Sequence, residues 1–222
     1  MTRTNLANAE KISRLLFNAI EKNKLVAAGK SEEQLNAEVS ALATDQFGIA
    51  EHWHKKIVRA GSNTLAIYPD NPSNRVLAAD DIVFIDYGPI VEGFEADLGR
   101  TYVLGNDPIK LKLKNDVEKA WYEIQGWYQQ HTKLPASDLF QFCVEKAREH
   151  GWSFGGAIAG HIVGKYPHEQ PADPKSLELD IHPDNHNDMF LPDANGDKRH
   201  WILELQFVDR EKQIGAYFEQ LL

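Results

Sequence analysis

The stretch DIVFIDYGPIVEGFEADLGRTYVLG, residues 81–105, contains the clearest β-structure of the chain. Residues 82–86 are β-branched or aromatic up to the final Asp86, and they predict a buried strand. A Gly-Pro pair then indicates a turn, and residues 96–104 predict a second strand. This stretch provides two strands of the fold, and helical patterns lie on either side of it.

Helical patterns flank the stretch on both sides. Apolar residues recur at helical spacing over residues 5–24. Ser31 begins a Ser-Glu-Glu-Gln capping box, and Gly48 is placed to end the helix that starts there. The predicted elements after the stretch are helices that begin at Pro108 and Ser137 and strands at 201–208 and 215–222.

Two segments between these elements lack periodicity. The segment before Asp81 is rich in His, Lys and Arg and is predicted as a loop. Residues 172–200 are rich in Pro, Asp and Asn and predict a long irregular loop. No repeat or linker-like composition divides the chain, so we interpret residues 1–222 as one domain of mixed α and β structure.

Composition narrows the class of protein. The 222 residues include 24 basic and 33 acidic side chains, and the net charge of −9 argues against non-specific nucleic-acid binding. No apolar run is long enough to span a bilayer, and the first twenty residues lack the features of a signal peptide. Cys143 is the single cysteine, which excludes an internal disulfide and a cysteine-based zinc site. We therefore expect a cytoplasmic protein that does not enter membranes.

Acidic residues stand where core strands would otherwise be apolar. Asp86, Glu204 and Glu219 each have apolar neighbours in a predicted strand, and an unpaired buried carboxylate is costly. With Asp97 they carry four negative charges, which two divalent metal ions would balance, and His161 would add one neutral imidazole. Such a ligand set favours Mn, Fe, Co or Zn. Taken singly, each residue also has an ordinary structural interpretation, such as pairing of Asp97 with Arg100.

The most specific pattern is Gly160-His161-x-x-Gly164-x-x-x-His168-Glu169-x-Pro171. Together with the segments FIDYGPIVEGFEADLGRTYVLG, ILELQFVD and GAYFEQLL, it resembles the pita-bread metallopeptidases. That family comprises methionine aminopeptidases, Xaa-Pro aminopeptidases, prolidases and creatinase. The resemblance spans roughly residues 5–222 and covers the catalytic domain only.

The resemblance implies an α+β pita-bread fold, with a curved, mostly antiparallel sheet backed by helices. It implies hydrolysis of a peptide carbonyl by hydroxide held between two divalent metal ions. Glu204 would also move a proton from the water towards the leaving amine, and His168 would contact the substrate and the tetrahedral intermediate. The metal ligands implied by motif are Asp86, Asp97, His161, Glu204 and Glu219.

The chain departs from the family pattern at four places. Ile162 and Leu205 stand where the family usually has Gly and Pro, and residues 172–200 replace a short turn. The upstream active-site histidine of the family has no counterpart. Tyr68 stands at its position, eighteen residues before Asp86, as a candidate hydrogen-bond donor to substrate, and His52 and His54 lie further back.

The function implied is that of an exopeptidase acting on short peptides. Arg100 and Thr101 favour the Xaa-Pro-cleaving branch, and a methionine aminopeptidase is the first alternative. A non-catalytic peptide-binding or protein-binding module is the second. A metal-independent creatinase-like hydrolase is less favoured, because that branch does not keep the full ligand set. Homodimers occur in the family, and residues 172–200 are a candidate contact.

Overall fold

A computed structural model describes residues 2–173 and 175–222. It combines long helices with an antiparallel sheet, which confirms the α+β class. The helices are α1 (Thr2–Lys22), α2 (Glu32–Phe47), α3 (Pro108–Tyr128) and α4 (Ala136–Glu149), with a 3-10 turn at Gly61–Leu65. The strands are β1 (Ile57–Ala60), β2 (Ile82–Tyr87), β3 (Ile90–Val91), β4 (Phe94–Glu95), β5 (Leu98–Val103), β6 (Ser153–Phe154), β7 (Ile162–Val163), β8 (His200–Asp209) and β9 (Ile214–Leu221).

The main sheet has the strand order β1-β2-β5-β9-β8-β6, with β7 paired to β8. Every strand pairing in the described part of the chain is antiparallel. The last strand, β9, lies between β5 and β8, which joins the two halves of the sheet. Strands β3 and β4 form a separate small hairpin.

One register row crosses five strands of the sheet and decides where the acidic residues meet. Ile57 pairs with Asp86, and Asp86 pairs with Gly99. Gly99 pairs with Glu219, which pairs on its other side with Glu204. Since residues in one register row of a sheet project to the same face, three carboxylates come together there.

Two apolar clusters hold the helices against this sheet. Helices α1 and α2 pack on β2 and β5 through residues such as Leu16, Leu35 and Ile85, each of which is fully buried. Helix α3 packs on β8 and β9, where the Trp121 indole donates a 2.8 Å hydrogen bond to the Leu203 carbonyl, and α4 packs on α3 and β6. The helices therefore back the sheet, as the resemblance implied.

The predicted start and end of α2 are confirmed. The Ser31 hydroxyl accepts from the Gln34 amide at 3.1 Å, and the Gln34 side chain accepts from the Ser31 amide at 2.8 Å. Gly48 ends the helix in the left-handed conformation, with φ of 66°. These are the contacts of a capping box and a glycine C-cap.

One sequence expectation needs correction, and the expected long irregular loop is confirmed. The segment before Asp81 is not only a loop, because it contains β1, which pairs with β2 along its whole length. Its four residues are too few, and Arg59 too polar, to show a strand pattern. Residues 172–200 form no helix, and no strand before His200, in the part described; Pro174 lies outside the description. Leu179, Ile181 and Met189 of this segment are buried in the core beside α4.

No helix in the described part of the chain combines the length and the apolarity that crossing a membrane requires.

Candidate metal centre

One cavity of about 430 Å³ opens over the acidic face of the sheet. Every residue proposed from sequence as a metal ligand or substrate contact lines it. These residues are Tyr68, Asp86, Asp97, His161, His168, Glu204 and Glu219.

The carboxylates are buried with no Lys or Arg side chain of the described residues paired to them. Asp86, Asp97 and Glu219 are 6%, 2% and 1% exposed. Among the described residues, no Lys or Arg forms an ion pair with these groups or with Glu204. The Oδ1 atom of Asp86 and the Oε2 atom of Glu219 are buried with no hydrogen-bond donor. Because orphaned buried carboxylate oxygens are costly, the donor set fits a bound cation.

The pKa values of the carboxyl groups in the metal-free protein also reflect their burial and crowding. Burial raises the pKa of Asp86 to about 7, although His54 opposes the shift. Burial also raises the pKa of Glu219 and of Glu204. Burial acts to raise the pKa of Asp97 as well, but His54 and His161 together outweigh it and the pKa falls to about 2. Asp97 therefore ionises at lower pH than a free carboxyl group. Asp86, Glu204 and Glu219 instead hold their protons to higher pH than free carboxyl groups do.

His54 belongs to this centre, so the expectation that no upstream histidine reaches it is wrong. Its Nε2 atom lies 3.1 Å from Asp97 Oδ1 and 3.7 Å from Asp86 Oδ1. Burial favours the neutral ring, but Asp97 and Asp86 outweigh it and raise the pKa of His54 to about 10. His54 lies between the helical and strand segments, where no periodic pattern marks a side chain as inward.

Tyr68 is not buried in the centre, as an active-site histidine at its position would be. It is 52% exposed and stands at the rim of the cavity, with its ring centroid 6.0 Å from that of His54. Its role as a substrate contact stays a prediction.

His161 approaches Asp97 from the side opposite to His54. Its Nε2 atom lies 3.4 Å from Asp97 Oδ2, and Asp97 raises the pKa of His161 to about 9 against the effect of burial. Gly160 precedes it with φ of 136°, and a Cβ there would overlap the Ile202 carbonyl. The departure at Ile162 does not narrow the cavity, because this side chain is buried in the apolar cluster under α3 and α4.

His168 is fixed by Glu95, a residue that the sequence did not single out. The Nδ1 atom of His168 lies 2.8 Å from Glu95 Oε2, and the His168 amide donates to Oε1 at 3.1 Å. Glu95 is 1% exposed and also accepts from the Gly164 amide at 2.9 Å. This carboxylate binds Nδ1 and leaves Nε2 as the nitrogen available to a substrate.

Tyr217 is the second residue that sequence reasoning missed. Its hydroxyl lies 2.7 Å from Glu204 Oε2 and 3.0 Å from Glu219 Oε1. A Cβ at Gly99 would overlap the Tyr217 ring, so this position has room only for glycine. The two-residue period of β9 was the available signal, because it places Tyr217 and Glu219 on one face.

The suggested pairing of Asp97 with Arg100 is wrong. Arg100 donates to the Glu219 carbonyl at 2.7 Å and to the Gln220 side chain at 2.5 Å. Its neighbour Thr101 donates to the Tyr217 carbonyl at 2.8 Å. The Arg-Thr pair therefore attaches β5 to β9 and does not line the cavity.

Comparisons with known proteins identify related sequences and structures. The sequence profile of metallopeptidase family M24 matches residues 4–192. Over 173 residues the chain is 25% identical to methionine aminopeptidase 2 of Bacillus subtilis (strain 168), covering 75% of this chain and 68% of that protein. Over 105 residues it is 31% identical to a methionine aminopeptidase of Clostridium perfringens (strain 13 / Type A), covering 46% of this chain and 41% of that protein.

Solved structures match over nearly the whole chain. A prolidase from Thermococcus sibiricus superposes with a TM-score of 0.73 at 23% identity, covering 96% of this chain and 53% of that one. A methionine aminopeptidase from Rickettsia prowazekii superposes with a TM-score of 0.69 at 17% identity, covering 98% and 91%. This chain thus spans about half the length of the prolidase chain.

The fold is the pita-bread fold, shared with these two structures. Within that fold class, the profile match over most of the sequence is specific, and the chain belongs to metallopeptidase family M24. The match ends at residue 192, before β8 and β9. Glu204 and Glu219 are therefore placed in the site by strand register, independently of the profile.

Proposed function

We propose that the chain is a dinuclear metal-dependent exopeptidase that hydrolyses the N-terminal peptide bond of short peptides. The observation that carries the proposal is the row of buried carboxylates that holds two orphaned oxygens, on Asp86 and Glu219. Two divalent ions would neutralise this row, whereas the histidines beside Asp97 leave these two oxygens of Asp86 and Glu219 without a donor among the described residues. Membership of family M24 supports the same conclusion.

The residues that would hold the ions are Asp86, Asp97, His161, Glu204 and Glu219. Their oxygen-rich donor set with imidazole suits Mn, Co, Fe or Zn. When bound, such ions supply a water of lowered pKa and polarise the carbonyl that is attacked.

The side chains around the ions would bind the peptide and move protons. Asp86, Glu204 and Glu219 form a carboxylate wall that attracts the protonated amino terminus of a peptide. The cavity of about 430 Å³ has room for a short peptide. Glu204 takes a proton from the attacking water and passes it to the leaving amine. Glu95 holds His168 through Nδ1, and His168 contacts the substrate through Nε2. When Nε2 carries a hydrogen, it donates a hydrogen bond to the developing oxyanion.

Within this activity we propose Xaa-Pro peptides as the first substrate class, only because Arg100-Thr101 resembles the sequence of the Xaa-Pro-cleaving branch, since the pair itself does not line the cavity. Methionine-initiated peptides are the second candidate, because the similarity to the Bacillus subtilis enzyme named methionine aminopeptidase 2 extends over 75% of this chain. The cavity lining also includes the apolar side chains of Ile57, Ile67 and Phe84, which suits either substrate side chain.

The test is hydrolysis of a peptide panel by the purified protein. Xaa-Pro dipeptides, longer Xaa-Pro peptides and Met-initiated peptides are each incubated after chelation and again after addition of Mn, Co or Zn. We expect cleavage that returns with metal, releases only the first residue and is absent from Asp97→Ala. A folded protein that binds no metal and cleaves nothing would overturn the proposal in favour of a peptide-binding module.

A further inference from the structure

Asp97 lies between two imidazoles that approach its two oxygens from opposite sides. His54 Nε2 is 3.1 Å from Oδ1, and His161 Nε2 is 3.4 Å from Oδ2. The donor atoms divide into two groups that share Asp97. One consists of His54, Asp86 and Asp97, and the other of Asp97, His161 and Glu219, each with its atoms within 4.8 Å of one another.

Both imidazoles are oriented by the backbone in the same way. The Nδ1 atom of His54 lies 2.7 Å from the Lys55 carbonyl, and that of His161 lies 3.0 Å from the Ile162 carbonyl. A carbonyl only accepts, so Nδ1 carries the hydrogen in both rings. In the neutral ring Nε2 then presents its lone pair to the carboxylates, which is the arrangement of a metal-ligating histidine with its supporting contact.

The separations also fit coordination. Two donor atoms that lie about 2.1 Å from one ion at a tetrahedral angle are about 3.4 Å apart. The distances from His54 Nε2 to Asp97 Oδ1 and Asp86 Oδ1, 3.1 and 3.7 Å, bracket that value. The Asp86 Oδ1 atom is buried and accepts no hydrogen bond from the described residues. An ion between this atom and His54 Nε2 would supply the missing partner.

We propose that His54 is a metal ligand, so that each of the two ions carries one imidazole and Asp97 bridges them. The inference rests on the dinuclear centre of the proposed function and extends it, because the motif-derived ligand set has a single histidine. His54 would complete the site that contains Asp86, and His161 the site that contains Glu219.

The ring of His54 is held in place before any ion binds. A Cβ at Gly88 would overlap the ring, so the backbone of the β2–β3 turn lies directly against it. The indole of Trp53 packs edge-on against the ring, with the two ring centroids 4.5 Å apart. The indole is itself fixed by a 3.0 Å hydrogen bond that it donates to the Ala96 carbonyl. Such restraint lowers the ordering cost of coordination.

The test compares metal binding by the wild type, His54→Ala and the matched control His52→Ala. His52 is two residues away, packs edge-on against Tyr87 at 5.3 Å and does not line the cavity. Metal-free protein is titrated with Co²⁺ and Zn²⁺ by calorimetry, and the Co²⁺ absorption spectrum is recorded. We expect two ions in the wild type and in His52→Ala, and at least about 10-fold weaker binding of one ion in His54→Ala.

A second measurement uses the wild type alone, so its result does not depend on whether the variants fold. Protein labelled with ¹⁵N at histidine and loaded with ¹¹³Cd should show cadmium–nitrogen coupling to the Nε2 atoms of two histidines. Coupling to one histidine only, or unchanged two-ion binding in His54→Ala, would overturn the assignment of His54 and leave the exopeptidase intact. A wild type that binds no ion would overturn the exopeptidase itself, and the two failures are thus distinct.

Discussion

The carboxylates and the imidazoles of the candidate centre are positioned by different means. Asp86, Glu204 and Glu219 stand on strands, and one register row aligns them. His54 and His168 stand on irregular segments and are placed by a few specific contacts. The sheet therefore makes the carboxylate wall robust, whereas the histidine side depends on single hydrogen bonds and on glycines that allow close approach. Substitutions on the two sides should differ in the size and in the kind of their effects.

The largest effect is expected from Asp97→Ala. Asp97 is 2% exposed and is shared by both donor groups, so its removal weakens both ion sites at once. We expect activity to fall by more than about 100-fold and metal binding to fall with it. Calorimetric titration and peptide hydrolysis measure the two effects. Asp184→Ala, at a side chain 80% exposed, is the control and should retain both. Retained two-ion binding in Asp97→Ala would contradict the bridging role.

The next largest effect is expected from Gly88→Ala, which tests the histidine side without changing a ligand. The added methyl group would overlap His54 and displace its ring. We expect roughly 10-fold to 100-fold weaker binding of one ion. Gly126→Ala introduces the same group on the exposed face of α3, where nothing lies within 4 Å. It should leave metal binding unchanged and stabilise the protein by about 0.5–1 kcal/mol. Equal metal affinities in the two variants would show that His54 does not coordinate.

This contrast also explains what the sequence could predict. Strand residues show their environment through alternation and apolar neighbours, so Asp86, Glu204 and Glu219 stood out as acids in core strands. The capping box at Ser31 and the glycine after α2 were equally readable, since both depend on contacts within a few residues.

Glu95, which was missed, and His54, which was not given a role, depend on contacts between distant segments. Glu95 and His168 are 73 positions apart, and His54 and Asp97 are 43 apart. Tyr68 matched the family position by spacing, but the fold brings His54 into contact with the ionised carboxylate and leaves Tyr68 at the rim. Local pattern does not encode such pairings, because they arise only when the sheet and its loops are assembled.

A smaller effect is expected from Glu95→Gln, which keeps the shape of the side chain and removes its charge. The amide holds the ring of His168 less firmly than the carboxylate does. We expect kcat to fall about 10-fold and KM to change little, because Glu95 positions His168 and does not touch substrate. Glu92→Gln, in the exposed turn before Glu95, is the matched control. Nitrogen NMR should show His168 losing its fixed tautomer in Glu95→Gln alone; an unchanged tautomer would remove this role.

The smallest effect concerns the stability of the metal-free protein. Burial raises the pKa of Asp86 to about 7, so the folded state binds a proton that the unfolded state releases near pH 4. Stability from this group is present below pH 4 and is lost as the pH rises through 7. His54, whose pKa rises to about 10 because Asp97 and Asp86 outweigh burial, acts in the same direction above pH 6.5.

Urea unfolding with chelator should therefore show lower stability at pH 8 than at pH 5. Added metal should reverse the trend, because ions bind the deprotonated ligands. A metal-free protein that is more stable at pH 8 would contradict the buried carboxylate wall.

The central position of β9 has a consequence for how the molecule comes into being. Strand β5 is synthesised more than a hundred residues before β9, yet the two are hydrogen-bonded neighbours. Such long-range pairing makes folding slow compared with helical proteins. Until residues 214–221 leave the ribosome, the growing polypeptide has two unjoined half-sheets and no complete ion site. A nascent chain whose β9 is still inside the ribosome therefore lacks Glu219 in the site, and the row of carboxylates is completed only with the finished sheet.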